Sequence, residues 1–140
     1  MRLSRVILSV VLLVSAALGG YILATDSYLW AAAPTHAYGL GAFSALDIIL
    51  VFGLLVRPRI SIILALLLGL VQLGAMAGDV FFGTLTLSAS ITTAAAFSKY
   101  LLGDRAFVTL LGVQVALIIV ALATFFDWRR DRRKSALVRS

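Results

Sequence analysis

The 140-residue sequence contains no cysteine, no glutamate and a single histidine, His36. The lack of cysteine excludes disulfides, thiolate metal sites, haem attached through cysteine and cysteine nucleophiles. One histidine cannot form a bis-histidine haem site or a three-histidine metal site within one chain. Because so few acid–base groups are present, we expect the protein to have no catalytic activity of its own. We also expect no cofactor, only contacts with lipid.

Charged residues are scarce as well. They make up 13% of the chain and hydrophobic residues 62%, whereas soluble domains have about 25% and about 45–50%. A chain of this length forms one domain, without room for a soluble catalytic domain beside a membrane part. The net charge is +6, and the basic residues lie beside apolar segments, where anionic headgroups attract them. We therefore expect lipid, and no nucleic acid, as their partner.

Four apolar stretches are each long enough to cross a bilayer, which takes about 20 residues. They predict transmembrane helices over about 6–25, 37–56, 60–82 and 106–128. The first stretch is longer than the apolar part of a secretory signal, about 7–15 residues, so we expect it to be retained. Pro58 predicts a sharp break after the second helix. The predicted fold is an all-α integral membrane protein with one domain, 1–140.

The segment 83–105 is harder to interpret. Residues 84–92 alternate polar and apolar side chains as a strand does, and 94–102 has the pattern of a short helix ended by Gly103. A fifth span here is conceivable, but it would move the basic C-terminal residues to the other side of the membrane. With four spans, two basic residues, Lys99 and Arg105, lie on one side. The other ten lie on the opposite side: Arg2, Arg5, Arg57, Arg59, Arg129, Arg130, Arg132, Arg133, Lys134 and Arg139.

This asymmetry predicts the orientation, because cytoplasmic loops are enriched in Lys and Arg. We expect both termini in the cytoplasm, a short external segment between the third and fourth spans, and a multi-pass location in the cell membrane. Residues 129–140 form the expected basic cytoplasmic tail. Its basic side chains are candidates for binding anionic lipid or an acidic partner surface: Arg129, Arg130, Arg132, Arg133 and Lys134.

Asp47 is the most informative residue of the sequence. It lies nine residues from Val56, which places it roughly 13–14 Å from the inner boundary. A carboxylate at mid-membrane costs about 2.5–3.5 kcal/mol on insertion scales. Gln72 and Ser15 lie at similar depth, so the three predict an intramembrane polar cluster. The cluster is either a proton or cation site or a structural hydrogen-bond network. Gln114 is expected to form an interhelical hydrogen bond.

Small residues predict where the helices pack, because transmembrane helices associate through close backbone contact. The third span contains a GxxxG pattern, Gly74 and Gly78, and the second contains Gly41 and Ala45 four residues apart. Each pair predicts contact with a helix of this chain or of a partner, including a second copy.

Asp79 and His36 fall near the predicted external boundary with Asp26 and Asp104. The simpler interpretation places Asp79 at the headgroups and His36 in an exposed loop. The alternative is an external cation or metal site, although no spacing matches a known ligand motif.

Three functions remain open. The first choice is a non-catalytic accessory or structural subunit of a larger integral membrane complex, of the respiratory oxidase, quinone-linked enzyme or membrane monooxygenase type. The small size and the lack of redox ligands favour it. The alternative is a small oligomeric transporter or channel with Asp47 as its proton- or cation-coupling residue. A stand-alone membrane enzyme ranks last because the chain has too few acid–base groups.

Overall fold

A computed structural model describes residues 2–82 and 94–137, with side chains described for 3–82 and 95–131. The regular elements of these residues are all α-helices, so the all-α prediction is confirmed. The six helices are α1 (Arg2–Thr25), α2 (Ser27–Ala32), α3 (Pro34–Val56), α4 (Pro58–Phe82), α5 (Ala94–Gly103) and α6 (Arg105–Leu137).

Four of the described helices are long and apolar enough to cross a membrane: α1, α3, α4 and α6. This is the pattern of a multi-pass membrane protein, and it matches the four predicted spans. The fifth helix, α5, has 10 residues and is too short to span a hydrocarbon core of about 30 Å. It ends at Gly103 as predicted, while the strand-like pattern over 84–92 lies outside the described residues. The last helix continues to Leu137, beyond the predicted end of the span at 128.

Local signals explain where the helices begin. Pro34 and Pro58 stand at the first positions of α3 and α4, where the missing proline N–H would have no helical partner. The carboxylate of Asp26 caps α2 by accepting a hydrogen bond of 2.8 Å from the Leu29 backbone N–H. Asp104 does the same for α6, accepting from the Ala106 N–H at 2.8 Å. These caps satisfy backbone donors that would otherwise be unpaired.

The long helices form a ring in which α1 packs against α3 and α6, and α4 also packs against α3 and α6. The short helices lie at the same end of this ring, α2 against α1 and α3, and α5 against α4 and α6. We call this the α2/α5 end. The opposite end, which carries the tight link at Arg57 between α3 and α4, is the hairpin end.

Apolar side chains fill the interior of the ring towards the hairpin end. This apolar layer draws on all four long helices and consists of Leu8, Leu12, Leu50, Leu54, Ile62, Ala65, Leu117 and Ala121. A second apolar cluster lies at the α2/α5 end, around Phe97, Met76 and Phe107. The buried polar side chains described below lie between the two.

Close helix contacts lie at glycines outside the two predicted pairs. A Cβ at Gly19 of α1 would clash with Ser44 Oγ of α3. A Cβ at Gly69 would lie 3.3 Å from Leu117 Cδ2 and 3.2 Å from Ile118 Cγ1, so α4 approaches α6 closely there. By contrast, a Cβ at Gly74 or Gly78 would meet no described atom within 4 Å.

The two residues of the second predicted pair, Gly41 and Ala45, differ in their contacts. A Cβ added at Gly41 would lie 3.6 Å from Leu23 Cδ1 of α1, which is an ordinary contact distance. Ala45 is exposed. In the described part of the chain, therefore, Gly74, Gly78 and Ala45 do not bring helices together. Their contact with a partner chain stays a prediction.

Candidate binding cavity

Each long helix places one polar side chain at the same level inside the ring. These four residues form the polar layer, and each is at most 2% exposed: Ser15 of α1, Asp47 of α3, Gln72 of α4 and Gln114 of α6. The levels agree because each residue lies near the middle of its span and a helix rises by a constant 1.5 Å per residue. The structure thus brings together Asp47, Gln72 and Ser15 and adds Gln114 to them.

Hydrogen bonds connect the polar layer across the four helices. The Ser15 hydroxyl donates to Asp47 Oδ2 at 2.5 Å, and Gln72 Nε2 donates to Asp47 Oδ1 at 3.3 Å. Gln114 Nε2 in turn donates to Ser15 Oγ at 2.7 Å. Both carboxylate oxygens therefore accept hydrogen bonds from protein donors.

Two acceptors of the polar layer have no partner among the described residues. They are the amide oxygens, Oε1 of Gln72 and Oε1 of Gln114. Their orientation follows from the network, because each amide nitrogen is turned towards the acceptor to which it donates. A buried acceptor without a hydrogen bond costs about 1–3 kcal/mol, so these two oxygens require an explanation.

A cavity of about 240 Å³ opens from the polar layer towards the α2/α5 end. The polar layer is its floor, since Ser15, Asp47, Gln72 and Gln114 all line it. Its walls are mostly apolar side chains one or two turns above the floor, namely Ile22, Leu40, Phe43, Met76, Phe107 and Leu110. On the other side of the floor lies the apolar layer, so the cavity is closed towards the hairpin end.

Polar side chains from α3, α4 and α5, and from the residues that cap α2 and α6, line the cavity at the α2/α5 end. This rim consists of Asp26, Thr35, His36, Asp79, Tyr100 and Asp104. His36 Nε2 lies 3.2 Å from Asp79 Oδ1 and links α3 to α4. The Tyr100 hydroxyl donates a hydrogen bond to Asp26 Oδ2, which joins α5 to the start of α2. Burial, then the hydrogen bond from the phenol to Asp26 and the negative charges of Asp26 and Asp104, raise the pKa of Tyr100 above its ordinary value.

The lining of the cavity is acidic. It includes four of the six aspartates of the chain, Asp26, Asp47, Asp79 and Asp104, while its described residues include no Lys or Arg. A cleft lined by one sign of charge concentrates counter-ions, here cations. The grouping of His36, Asp26, Asp79 and Asp104, the alternative interpretation of the sequence, thus forms part of the rim. His36 lies in α3 beside Asp79 and not in an exposed loop. No group of three or more metal-ligating side chains occurs in the described part of the chain.

Basic residues lie at the other end of the ring. The Arg59 guanidinium lies 5.0 Å from the centre of the Trp128 ring, and Arg129 lies 5.7 Å from that of Phe125. Arg129 and Arg130 are exposed. The side chains of three other predicted lipid- or partner-binding residues lie outside the described set: Arg132, Arg133 and Lys134.

Gln114 of the floor and Tyr100 of the rim are not assigned to a site from the sequence. Gln114 was expected to bond between helices, but the same depth count would have grouped it with Asp47, since it lies nine residues, roughly 13–14 Å, from Arg105. Tyr100 has only the signature of an interfacial aromatic residue. Its bond to Asp26 spans 74 positions of sequence, and no local pattern predicts it.

Comparison of the chain with family models, curated proteins and solved structures finds no match.

Proposed function

We propose that this protein binds a positively charged species, a proton or another cation, through its α2/α5 end, and that Asp47 is the coupling residue of a small transporter. One observation carries the proposal. The buried carboxylate of Asp47 forms the floor of a cavity whose lining is acidic and whose other end is closed.

The energetics of Asp47 support a functional role. A carboxylate at mid-membrane costs about 2.5–3.5 kcal/mol on insertion scales, and among the described residues Asp47 is bonded by neutral donors, Ser15 and Gln72. A purely structural network would not need an ionisable group there. Contact with a cavity gives the carboxylate a route to exchange a proton or cation.

The position of the basic residues supports an orientation. Arg57, Arg59, Arg129 and Arg130 all belong to the hairpin end, and cytoplasmic segments are enriched in such residues. We therefore place the hairpin end and both termini in the cytoplasm of a cell-membrane protein. In this orientation the acidic rim, α2, α5 and the segment 83–105 are external.

Passage to the cytoplasm would require the apolar layer to open. Leu12, Leu50 and Leu117 belong to that layer and are at most 7% exposed, which supports a proposed state with access from one side. The proposal is therefore a transporter with alternating access, alone or as a homo-oligomer, and not a continuous channel.

Proton or cation flux into proteoliposomes tests this function. The wild-type chain is expected to move protons, or Na⁺ and K⁺, faster than empty vesicles, and Asp47→Asn is expected to abolish the difference. Asp127→Asn is the matched control, because Asp127 is exposed on α6 outside the cavity. Equal flux in the wild type and Asp47→Asn would remove the coupling role.

A second candidate, the accessory subunit of a larger membrane complex, is favoured by a different observation. The backbone at Gly74 and Gly78 on α4 is open, with no described atom positioned to contact an added Cβ. Small residues of this kind allow close approach of a partner helix, and the basic tail offers an additional contact for an acidic partner or for anionic lipid.

Purification in mild detergent tests the second candidate. Specific membrane subunits should co-purify with the wild type and be lost from a Gly74→Leu, Gly78→Leu double variant that keeps its thermal stability. Recovery of the wild type as a monomer or homo-oligomer without other polypeptides would remove this candidate.

A further inference from the structure

The floor of the cavity restricts the chemistry of a ligand. The polar atoms of the layer that have no partner among the described residues, Gln72 Oε1 and Gln114 Oε1, are both acceptors. Beside them lies the Asp47 carboxylate, which also accepts. A ligand that fits must therefore donate hydrogen bonds. Carbonyls, carboxylates and phosphates present only acceptors to such a floor and are disfavoured.

The volume and walls of the cavity restrict the ligand further. A cavity of about 150 Å³ lined by apolar side chains accommodates benzene, so 240 Å³ has room for one ring and a short alkyl chain. Phe43, Met76 and Leu110 lie one helical turn above Asp47, Gln72 and Gln114, respectively, and line the space. A bare metal ion would contact the floor but leave these apolar walls without a partner.

Resting on the cation-binding function proposed above, we propose that the ligand is an organic ammonium ion with a small apolar body. Its N–H groups donate to Asp47 and to Oε1 of Gln72 and Gln114. Its apolar body packs between Phe43, Met76 and Leu110. The charged group thus lies deepest, and the acidic rim attracts it into the cavity.

A set of probes that share one skeleton tests this proposal on the wild-type chain. The full-length protein in a non-ionic detergent is titrated calorimetrically with 2-phenylethylammonium, with 2-phenylethanol, and with trimethyl(2-phenylethyl)ammonium. The first carries charge and N–H donors, the second carries no charge, and the third carries charge without N–H donors. The primary ammonium should bind at least about tenfold more tightly than either analogue, as expected for the loss of one charged hydrogen bond.

Matched variants assign the binding to the floor. Asp47→Asn should abolish binding of 2-phenylethylammonium, and Gln114→Leu should weaken it about tenfold. Asp127→Asn should leave the affinity unchanged, because it makes the same chemical change on the exposed side of α6. Thermal unfolding of each variant identifies those that fold.

The outcomes separate this proposal from the broader function. Binding of Na⁺ that depends on Asp47, without binding of the primary ammonium, would overturn the proposal and leave the cation-binding function intact. Two results would show partition into detergent only and overturn the proposal. The first is equal affinity of the wild type for the primary ammonium and the alcohol, and the second is equal affinity of the wild type and Asp47→Asn for the primary ammonium. Equal affinity for the primary and quaternary ammonium would overturn the role of the amide acceptors. No binding of any ammonium, Na⁺ or proton would contradict both proposals.

Discussion

The hydroxyl of Ser15 on α1 donates a 2.5 Å hydrogen bond to the carboxylate of Asp47 on α3. The same hydroxyl oxygen accepts a hydrogen bond of 2.7 Å from Gln114 on α6. Ser15 therefore joins the two sides of the ring through one atom, and it orients the carboxylate that forms the floor of the cavity.

We expect Ser15→Ala to destabilise the folded protein by about 1–3 kcal/mol, because it removes a donor from Asp47 and leaves the Gln114 amide nitrogen without its acceptor. Thermal unfolding in detergent measures the effect. Ser9→Ala is the matched control, since the Ser9 hydroxyl donates to the Arg5 carbonyl of its own helix, at 3.0 Å. Equal stability of Ser15→Ala and the wild type would show that the hydrogen bonds of Ser15 contribute little.

A valine at Gly69 should destabilise the protein, by about 1–3 kcal/mol for overpacking. Leu117 and Ile118 of α6 already lie 3.2–3.3 Å from the position of an added Cβ, and a β-branched side chain would force the two helices apart. Gly74→Val on the same helix is the control, with no described atom within 4 Å. Comparable losses in thermal stability for the two variants would contradict the assigned α4–α6 contact.

Tyr100 should make the stability of the folded protein depend on pH in the alkaline range. Its pKa is raised in the folded state by burial and by Asp26, so folding favours the neutral phenol. This stabilisation is fully present below the ordinary pKa of about 10 and is lost as the pH rises through the folded-state value. Unfolding temperatures measured from about pH 8 to 11 should therefore fall more steeply for the wild type than for Tyr100→Phe.

At neutral pH the Tyr100→Phe variant should also lose about 1 kcal/mol, because the hydrogen bond to Asp26 is absent. Tyr21→Phe serves as the control, since Tyr21 is 57% exposed. Parallel pH profiles for the wild type and Tyr100→Phe would contradict the role given to the Asp26 contact.

The proposed orientation can be measured with single cysteines, because the natural sequence has none. Ser27 is exposed in α2, and Val56 is exposed beside the link between α3 and α4 at the hairpin end. The two variants are Ser27→Cys and Val56→Cys. In intact cells a membrane-impermeant maleimide should label Ser27→Cys only, and both variants should react after lysis. Labelling of Val56→Cys from outside would reverse the orientation.

The number and approximate limits of the long helices could be predicted from the sequence. The thickness of the bilayer sets the length of a spanning helix, and a run of apolar residues of that length shows where the helix lies. Similarly, the fixed rise of a helix placed Ser15, Asp47 and Gln72 at one depth. Depth does not specify which side of a helix faces its neighbours. The pattern of Gly74 and Gly78 therefore does not tell whether this face of α4 contacts another helix. No pattern in the sequence predicts the contact at Gly69.

The cavity itself depends on tertiary structure. Asp26, His36, Asp79 and Asp104 come from separate loops and helix ends, and they form one rim only because α2 and α5 pack at the same end of the ring. The short helix α2 lies between the first two predicted spans, and its six residues are too few to show a helical period. Its cap at Asp26 is the local signal that identifies it.

Access of a small cation to the floor of the cavity from outside is the most direct test of the account. In the cysteine-free chain, Asp47→Cys should react with externally added 2-aminoethyl methanethiosulfonate, and at least about tenfold faster than with the anionic sulfonatoethyl reagent, since the rim still carries three aspartates. Leu50→Cys, in the apolar layer, should not react with either reagent. An unreactive cysteine at position 47, or equal reaction at positions 47 and 50, would contradict an acidic cavity that opens on one side and ends at Asp47.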